Sequence, residues 1–381
     1  MTIDRQALGA AVARARREVE DGLLPSAQIA VAYQGELVAF ETFGEATNDT
    51  RYIVYSATKA FVAGAMWALI GDGVVDPADL VTRHVPEFGT NGKGVITIEQ
   101  VMLHTAGFPQ APLSPIDGDT SAGRVAAFAR WRLNWEPGTK FQYHPSAAHW
   151  VLAEIIERVT GRDFRDVVQQ RVTDPAGLPR VLGDVPHRAA ELRLTGEPAT
   201  AEELQRAFGV STIDVGEVTS TALMAFNDPA VQRVGMPGGG GVMRACDLAL
   251  FYQAVLHNPG EMWRADVLAD ATTNVRNHLP DVTTGVAANR TLGLVQAGDD
   301  GLSHWRGMGR TVSPSAVGHN GARGQIAWGD PATGLSIGYC TNGLDEHILR
   351  EARRTTSISS LVAVCTTGGD SAAAETPSEG H

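Results

Sequence analysis

Residues 56–70 read SATKAFVAGAMWALI, and the chain breaks into glycine at Gly71 and Gly73 directly afterwards. The run is apolar nearly all the way round at the helical period, which predicts a buried helix ending in glycine rather than a surface helix with a polar stripe. Its polar residues gather in the first turn, where Ser56 and Lys59 stand three positions apart. On a helix that spacing puts both side chains on one face, where their heads can meet.

Strand character lies on either side of this helix in the chain. Residues 27–33 (AQIAVAY) and 37–43 (LVAFETF) are β-rich runs separated by Gln34, Gly35 and Glu36, the pattern of a hairpin. Residues 324–328 (GQIAW) and 334–340 (GLSIGYC) repeat it near the other end, with Asp330, Pro331, Ala332 and Thr333 as the turn. Between about 76 and 309 the pattern is mostly helical. Residues 146–160 place Leu152, Ile155, Ile156 and Val159 on one face and end at Gly161, and helix returns from about 345 to 364. The expected class is α/β of the α+β type. An antiparallel sheet comes from both termini (1–75 and 310–365), with a mostly helical lobe (76–309) inserted between them and a cleft where the lobes meet. Residues 366–381 (TTGGDSAAAETPSEGH) lack large apolar side chains and read as a disordered tail.

Composition narrows the function. Hydrophobic residues make up 43% and charged residues 19% of the 381, the balance of a globular protein. With 31 basic and 43 acidic residues the formal charge is −12, which disfavours nucleic acid and anionic membrane surfaces as partners. No apolar run reaches the ~20 residues that span a bilayer. The first 21 residues read as an amphipathic helix with no signal-peptide core. Cys246, Cys340 and Cys365 are widely spaced with no CxxC pair, as suits a reducing compartment. These features together point to a cytoplasmic location.

A serine hydroxyl is a weak nucleophile at neutral pH and needs a base. A lysine can serve if burial lowers its pKa, and Ala57, Ala60, Phe61, Val62 and Ala63 supply apolar surroundings for Lys59. The pair alone also fits a helix cap beside a solvated lysine, since S-x-x-K fixes only two letters. Two later segments change the balance. In residues 135–161 (WEPGTKFQYHPSAAHWVLAEIIERVTG) a Pro-Gly turn leads through Tyr143 into the amphipathic helix, and in residues 318–328 (GHNGARGQIAW) His319-Asn320-Gly321 opens a strand.

In these motifs and their order the chain resembles the serine β-lactamase and penicillin-recognising superfamily, in the branch that holds class C β-lactamases, family VIII carboxylesterases, D-aminopeptidases and related acyltransferases. Ser56-Ala57-Thr58-Lys59 matches the S-x-x-K motif, Tyr143 the tyrosine of Tyr-x-Asn, and His319-Asn320-Gly321 the Lys-Thr-Gly motif in a His-x-Gly form. Residues 101–108 (VMLHTAGF) and 238–252 (GGGGVMRACDLALFY) also look familiar. The resemblance implies the β-lactamase-like fold and an acyl-enzyme on Ser56, with Lys59 and Tyr143 moving protons. It further implies an oxyanion hole from the N–H groups of Ser56 and Ala322, and substrate contacts from His319 and Gly321. Pro145 stands at the asparagine position of Tyr-x-Asn and His319 at the lysine position of Lys-Thr-Gly. Both changes remove groups that would hold a penicillin-like amide and carboxylate, so an ester is the expected small-molecule substrate. An amidase, D-aminopeptidase, β-lactamase or acyltransferase would share the mechanism, and a silent ligand-binding protein would share the cleft.

Other candidates carry less. His104 reads as part of a structural turn, since no G-x-S-x-G elbow occurs, and His144 and His149 are left without a role. Gly238 to Gly241 lacks the following Lys-Ser or Lys-Thr of a phosphate loop and reads as a flexible turn before a helix. Trp131, Trp135 and Trp150 fit an apolar substrate pocket and plain core packing equally well. No metal-binding spacing is present among the histidines and cysteines, and no cofactor is expected.

Overall fold

Both hairpins expected from the sequence form and share one sheet in the computed structural model, which describes residues 1–367. β1 (Ser26–Tyr33) and β2 (Glu36–Gly44) are antiparallel. They turn through Gln34 and Gly35, with φ of 52° and 86°, the left-handed pair whose twist matches that of the flanking strands. Two short strands, β3 (Val295–Gln296) and β4 (Val317–Gly318), precede the second hairpin, β5 (Ile326–Asp330) and β6 (Leu335–Thr341). The six strands are antiparallel throughout, in the order β2-β1-β6-β5-β4-β3. The pairing of β6 with β1, from Leu335 opposite Tyr33 to Thr341 opposite Ala27, joins the two ends of the chain.

The helices that position the site are α1 (Arg5–Glu20), α2 (Thr58–Gly71), α3 (Ala147–Thr160), α4 (Ala245–His257) and α5 (Ile348–Ala363). On one face of the sheet, Leu8, Ala11 and Ala15 of α1 and Ile358 and Val362 of α5 pack with Ile29, Val31, Ile337 and Tyr339. On the other, Leu248, Ala249 and Phe251 of α4 join a core with Ala30, Ala32, Ala327 and Cys340. Both faces are thus covered, which is why β1 and β6 are buried along nearly their whole length instead of alternating between buried and exposed residues. The start of α4 comes so close to β6 that a Cβ on Gly338 would stand 2.0 Å from the Ala245 carbonyl.

Every residue of α2 from Thr58 to Leu69 is buried, as the sequence predicts. Its α-helical part starts at Thr58, because Tyr55–Ala57 form a separate 3₁₀ turn whose first residue has φ of 45° and cannot continue a right-handed helix. Two elements from within residues 76–309 belong with the sheet: α4 packs on it and β3 is its edge strand. Thr366–Thr367, expected to open a disordered tail, instead pairs with Thr2–Ile3, and residues 368–381 lie outside the described part. A buried ion network ties the chain ends together, with Arg354 of α5 donating from Nε to Glu18 of α1 at 2.5 Å and from Nη2 to Asp345 at 2.6 Å.

Candidate active site

The turn carrying Ser56 is clamped from behind. Thr58 donates its hydroxyl to Tyr55 O at 2.6 Å and accepts the Gly241 N–H at 2.9 Å, while Val54 N–H donates to Gly241 O at 3.0 Å. These bonds hold Tyr55 in its left-handed conformation, a strained geometry that surrounding contacts must over-determine. The Gly238 to Gly241 run is therefore a buried clamp, which corrects the reading of it as a flexible turn. A Cβ on Gly240 would meet Met236 N at 2.3 Å, and one on Gly241 would meet Thr58 Oγ1 at 2.7 Å, so only glycine permits the approach.

Lys59, with 0% of its surface exposed, points its amine at the serine. Nζ lies 3.1 Å from Ser56 Oγ, 2.7 Å from Pro145 O and 2.5 Å from Gly238 O. Carbonyl oxygens only accept. In a neutral amine the two N–H bonds are therefore committed to Pro145 and Gly238, and the lone pair is left facing the serine hydroxyl, which can donate to it. Burial is the main cause of a Lys59 pKa pushed down to about 7, with Glu217 opposing and the Arg290 guanidinium assisting.

Tyr143 completes the group. Its ring lies 5.1 Å from Lys59 Nζ, and its hydroxyl is buried without a hydrogen-bond partner among the described residues. Burial pushes the phenol up to about 12, against the pull of Arg290 and the neighbouring Ser56. His319 sits beside Tyr143, with ring centroids 5.9 Å apart. It is 6% exposed, and its Nε2 also lacks a partner. Burial, then Arg290 and Lys59, hold its pKa well below the usual value, so it is a neutral imidazole. The unpartnered buried atoms Tyr143 Oη, His319 Nε2 and Arg290 Nε and Nη1 thus belong to one group of side chains around the Tyr143 ring, and such atoms in a folded protein call for a functional explanation.

Gly321 lets the connection between β4 and β5 reach the nucleophile. A Cβ there would stand 2.0 Å from Val54 O, so the strand segment lies directly against the residue two positions before Ser56. The next residue, Ala322, shares with Ser56 a cavity of about 290 Å³. Gly321 donates its N–H to Gln325 O and is placed behind this cavity rather than on its wall.

Two residues of the site had no signal in the sequence. Arg290 is buried with its guanidinium 5.3 Å from the Tyr143 ring centroid and 5.6 Å from that of Phe141. Glu217 accepts the Ser146 N–H at 2.9 Å and the Ser146 hydroxyl at 2.8 Å, both on Oε1, and burial raises its pKa. Both lie in irregular segments, where charged residues ordinarily face solvent. The remaining candidates fall into place as structure. His104 has φ of 58° and accepts the His144 N–H on Nδ1. His144 in turn donates from Nδ1 to Gln142 O and accepts the Phe108 N–H on Nε2, which fixes it as a neutral tautomer within the turn. His149 lies 6.0 Å from His104, ring to ring. Trp131 stacks on Phe108 and Trp150 meets Phe164 edge-on, and Trp135 meets His144 in the same way. None of the three lines the Ser56 cavity. Among the described residues no group of three or more His, Cys, Asp or Glu side chains is placed to hold a metal ion.

Comparison with known proteins agrees with this geometry. The family model described as Beta-lactamase matches residues 11–358. An esterase/β-lactamase, LipL, of Mycobacterium tuberculosis (strain ATCC 25618 / H37Rv) is 28% identical over 322 residues, covering 78% of this chain and 70% of its own. A crystal structure of a family VIII carboxylesterase superposes with a TM-score of 0.75 at 24% identity, over 94% of this chain and 98% of that one. A penicillin-binding protein homologue from Caulobacter crescentus gives a TM-score of 0.73 at 22% identity, over 94% and 98%.

Proposed function

Because the chain belongs to the Beta-lactamase family, whose members are serine hydrolases, we propose that it hydrolyses a carboxylic ester through an acyl-serine intermediate on Ser56. The observation that carries this reading is the Lys59 amine, with its two N–H bonds taken by Pro145 O and Gly238 O and its remaining position directed at Ser56 Oγ. In the first step Oγ bonds to the ester carbonyl carbon as its proton passes to Lys59. The oxyanion that forms is received by the N–H groups of Ser56 and Ala322. Removing one such preorganised donor typically costs about 2.7–4 kcal/mol of barrier. Tyr143, protonated at neutral pH, shuttles the proton between Lys59 and the departing alkoxide, and collapse breaks the ester C–O bond. Water then attacks the acyl-serine by the reverse proton path and releases the acid.

Ester rather than β-lactam cleavage follows from what surrounds the pair. Pro145 offers only its carbonyl, already bonded to Lys59, and His319 is a buried neutral imidazole with no charge for a β-lactam carboxylate. Small molecules are the proposed partners. A cytoplasmic setting is part of the same reading, supported by three buried free thiols, Cys246, Cys340 and Cys365. The test is hydrolysis of a short p-nitrophenyl ester beside a chromogenic cephalosporin. Fast ester cleavage that is lost in Ser56→Ala, with little cephalosporin turnover, is the expected result. Ester cleavage that survives the substitution would remove Ser56 as the nucleophile.

A further inference from the structure

Two cavities meet at Glu217. One, of about 290 Å³, holds Ser56 and Ala322 among apolar side chains such as Leu223, Phe226 and Met236. The other, of about 900 Å³, is floored by Tyr143 and walled by Phe208 and Trp305, whose rings stand 5.6 Å apart. Pro145, Glu217 and Val218 line both, so Glu217 stands on the partition between them. Among the described residues the carboxylates on the two walls are Glu217 in the smaller cavity, and Asp214, Glu217 and Asp281 in the larger. Among the described residues no lysine, arginine or histidine lines either cavity. Of the neighbouring basic residues, Lys59 and Arg290 are buried behind the walls, and Arg323, which follows Ala322, is turned to Asp345 O at 3.0 Å and Ser220 Oγ at 3.4 Å.

The carboxylate itself is half committed. Both Ser146 donors fall on Oε1, and among the described residues Oε2 has no hydrogen-bond partner. A half-buried carboxylate oxygen that faces a cavity without a partner favours a donor that meets it, and it repels any anion placed there. We infer that Glu217 is a specificity residue, and that the substrate carries a cationic amine, or at least an N–H donor, that binds Glu217 Oε2 at the junction of the two cavities. The apolar walls on either side accept the uncharged arms of the same molecule. Discrimination comes from attraction of the amine and rejection of carboxylate-bearing analogues together. This inference rests on the cleft around Ser56 being the substrate site.

The experiment uses the full chain with hexylammonium, hexanol and hexanoate at pH 7.5. Each is measured as an inhibitor of p-nitrophenyl butanoate hydrolysis and, separately from turnover, by calorimetric titration. Hexylammonium is expected to bind at least tenfold tighter than hexanoate, with hexanol between them. In Glu217→Gln, whose amide oxygen can still accept from Ser146 and keep the loop in place, the ammonium-to-carboxylate ratio is expected to fall at least fivefold. Hexanoate binding as well as hexylammonium, or a ratio unchanged in Glu217→Gln, overturns the inference. Failure of the esterase reading shows differently, as butanoate hydrolysis that is absent or survives Ser56→Ala, and the calorimetric ratio still decides the role of Glu217.

Discussion

Lys59 Nζ stands 3.1 Å from Ser56 Oγ while Pro145 O and Gly238 O hold it from the other side. The base is therefore aimed as well as buried. Only the neutral amine can take the serine proton, and burial places its pKa at about 7. The sign follows directly: lowering the pH through that value charges the amine and removes the base. The ester kcat/KM is expected to fall about tenfold per pH unit below 7 and to level off above it. A pH profile that stays flat down to pH 5 contradicts this role for Lys59.

Tyr143 offers a separation of activity from stability. Its hydroxyl is buried beside Ser56 and away from the groups that hold the fold, so Tyr143→Phe removes a desolvated polar group and leaves the structural hydrogen bonds in place. Ester turnover is expected to drop about 100-fold or more with the loss of the proton shuttle, while Tm stays level or rises by the equivalent of about 1 kcal/mol. Calorimetry and kinetics on the same preparation check both halves. A clear fall in Tm would show that the hydroxyl is holding the fold.

Gly321→Ala probes the approach of the β4–β5 connection to the nucleophile. The added Cβ would lie 2.0 Å from Val54 O, a clash with backbone that must push Ala322 away from Ser56. Overpacking of this kind costs about 1–3 kcal/mol of stability. Displacement of the Ala322 N–H is expected to lower kcat about 100-fold or more with KM less affected. Denaturant unfolding and steady-state kinetics measure the two effects. Normal kcat in this variant would argue that Ala322 is not an oxyanion donor.

Far along the chain, Arg354→Met tests how the ends are joined. The side chain is buried and bonded to Glu18 and Asp345, and its loss leaves Glu18 Oε2 without its donor. Breaking one side of a buried ion pair costs about 3–5 kcal/mol, and urea unfolding should record a loss of that order. Asp345 keeps its bonds from Arg350, at 2.8 and 2.6 Å, and Glu18 keeps the Arg14 Nη1 donor on Oε1 at 2.5 Å, so the loss should fall toward the lower end of that range. Arg354→Lys should recover part of the loss.

The features legible in the sequence were those set by local pattern. The apolar circumference of residues 58–69 announced a buried helix, and the turn residues Gln34-Gly35 and Asp330 to Thr333 announced two hairpins. The Ser56, Lys59 and Tyr143 side chains that the motifs selected do converge, because the S-x-x-K spacing and the Pro-Gly turn before Tyr143 act over a few residues. Arg290 and Glu217 gave no such sign. Their burial arises only when distant segments pack, Arg290 under Tyr143 and Phe141 and Glu217 onto Ser146. The glycine run 238–241 misled for the same reason, since its lack of side chains serves close approach to Tyr55 and Thr58 rather than freedom of the turn. The assignment of α4 to the sheet likewise depends on the contact of Ala245 with Gly338, which no periodicity within residues 245–257 encodes.

The central claim is that Ser56 carries the acyl group. Rapid acid quench of the protein with p-nitrophenyl butanoate, followed by intact-mass and peptide mass measurement, tests it most directly. The expected result is one butanoyl adduct, located on the peptide containing Ser56 and absent in Ser56→Ala. An adduct on another residue, or ester turnover by the Ser56→Ala protein, would contradict the account.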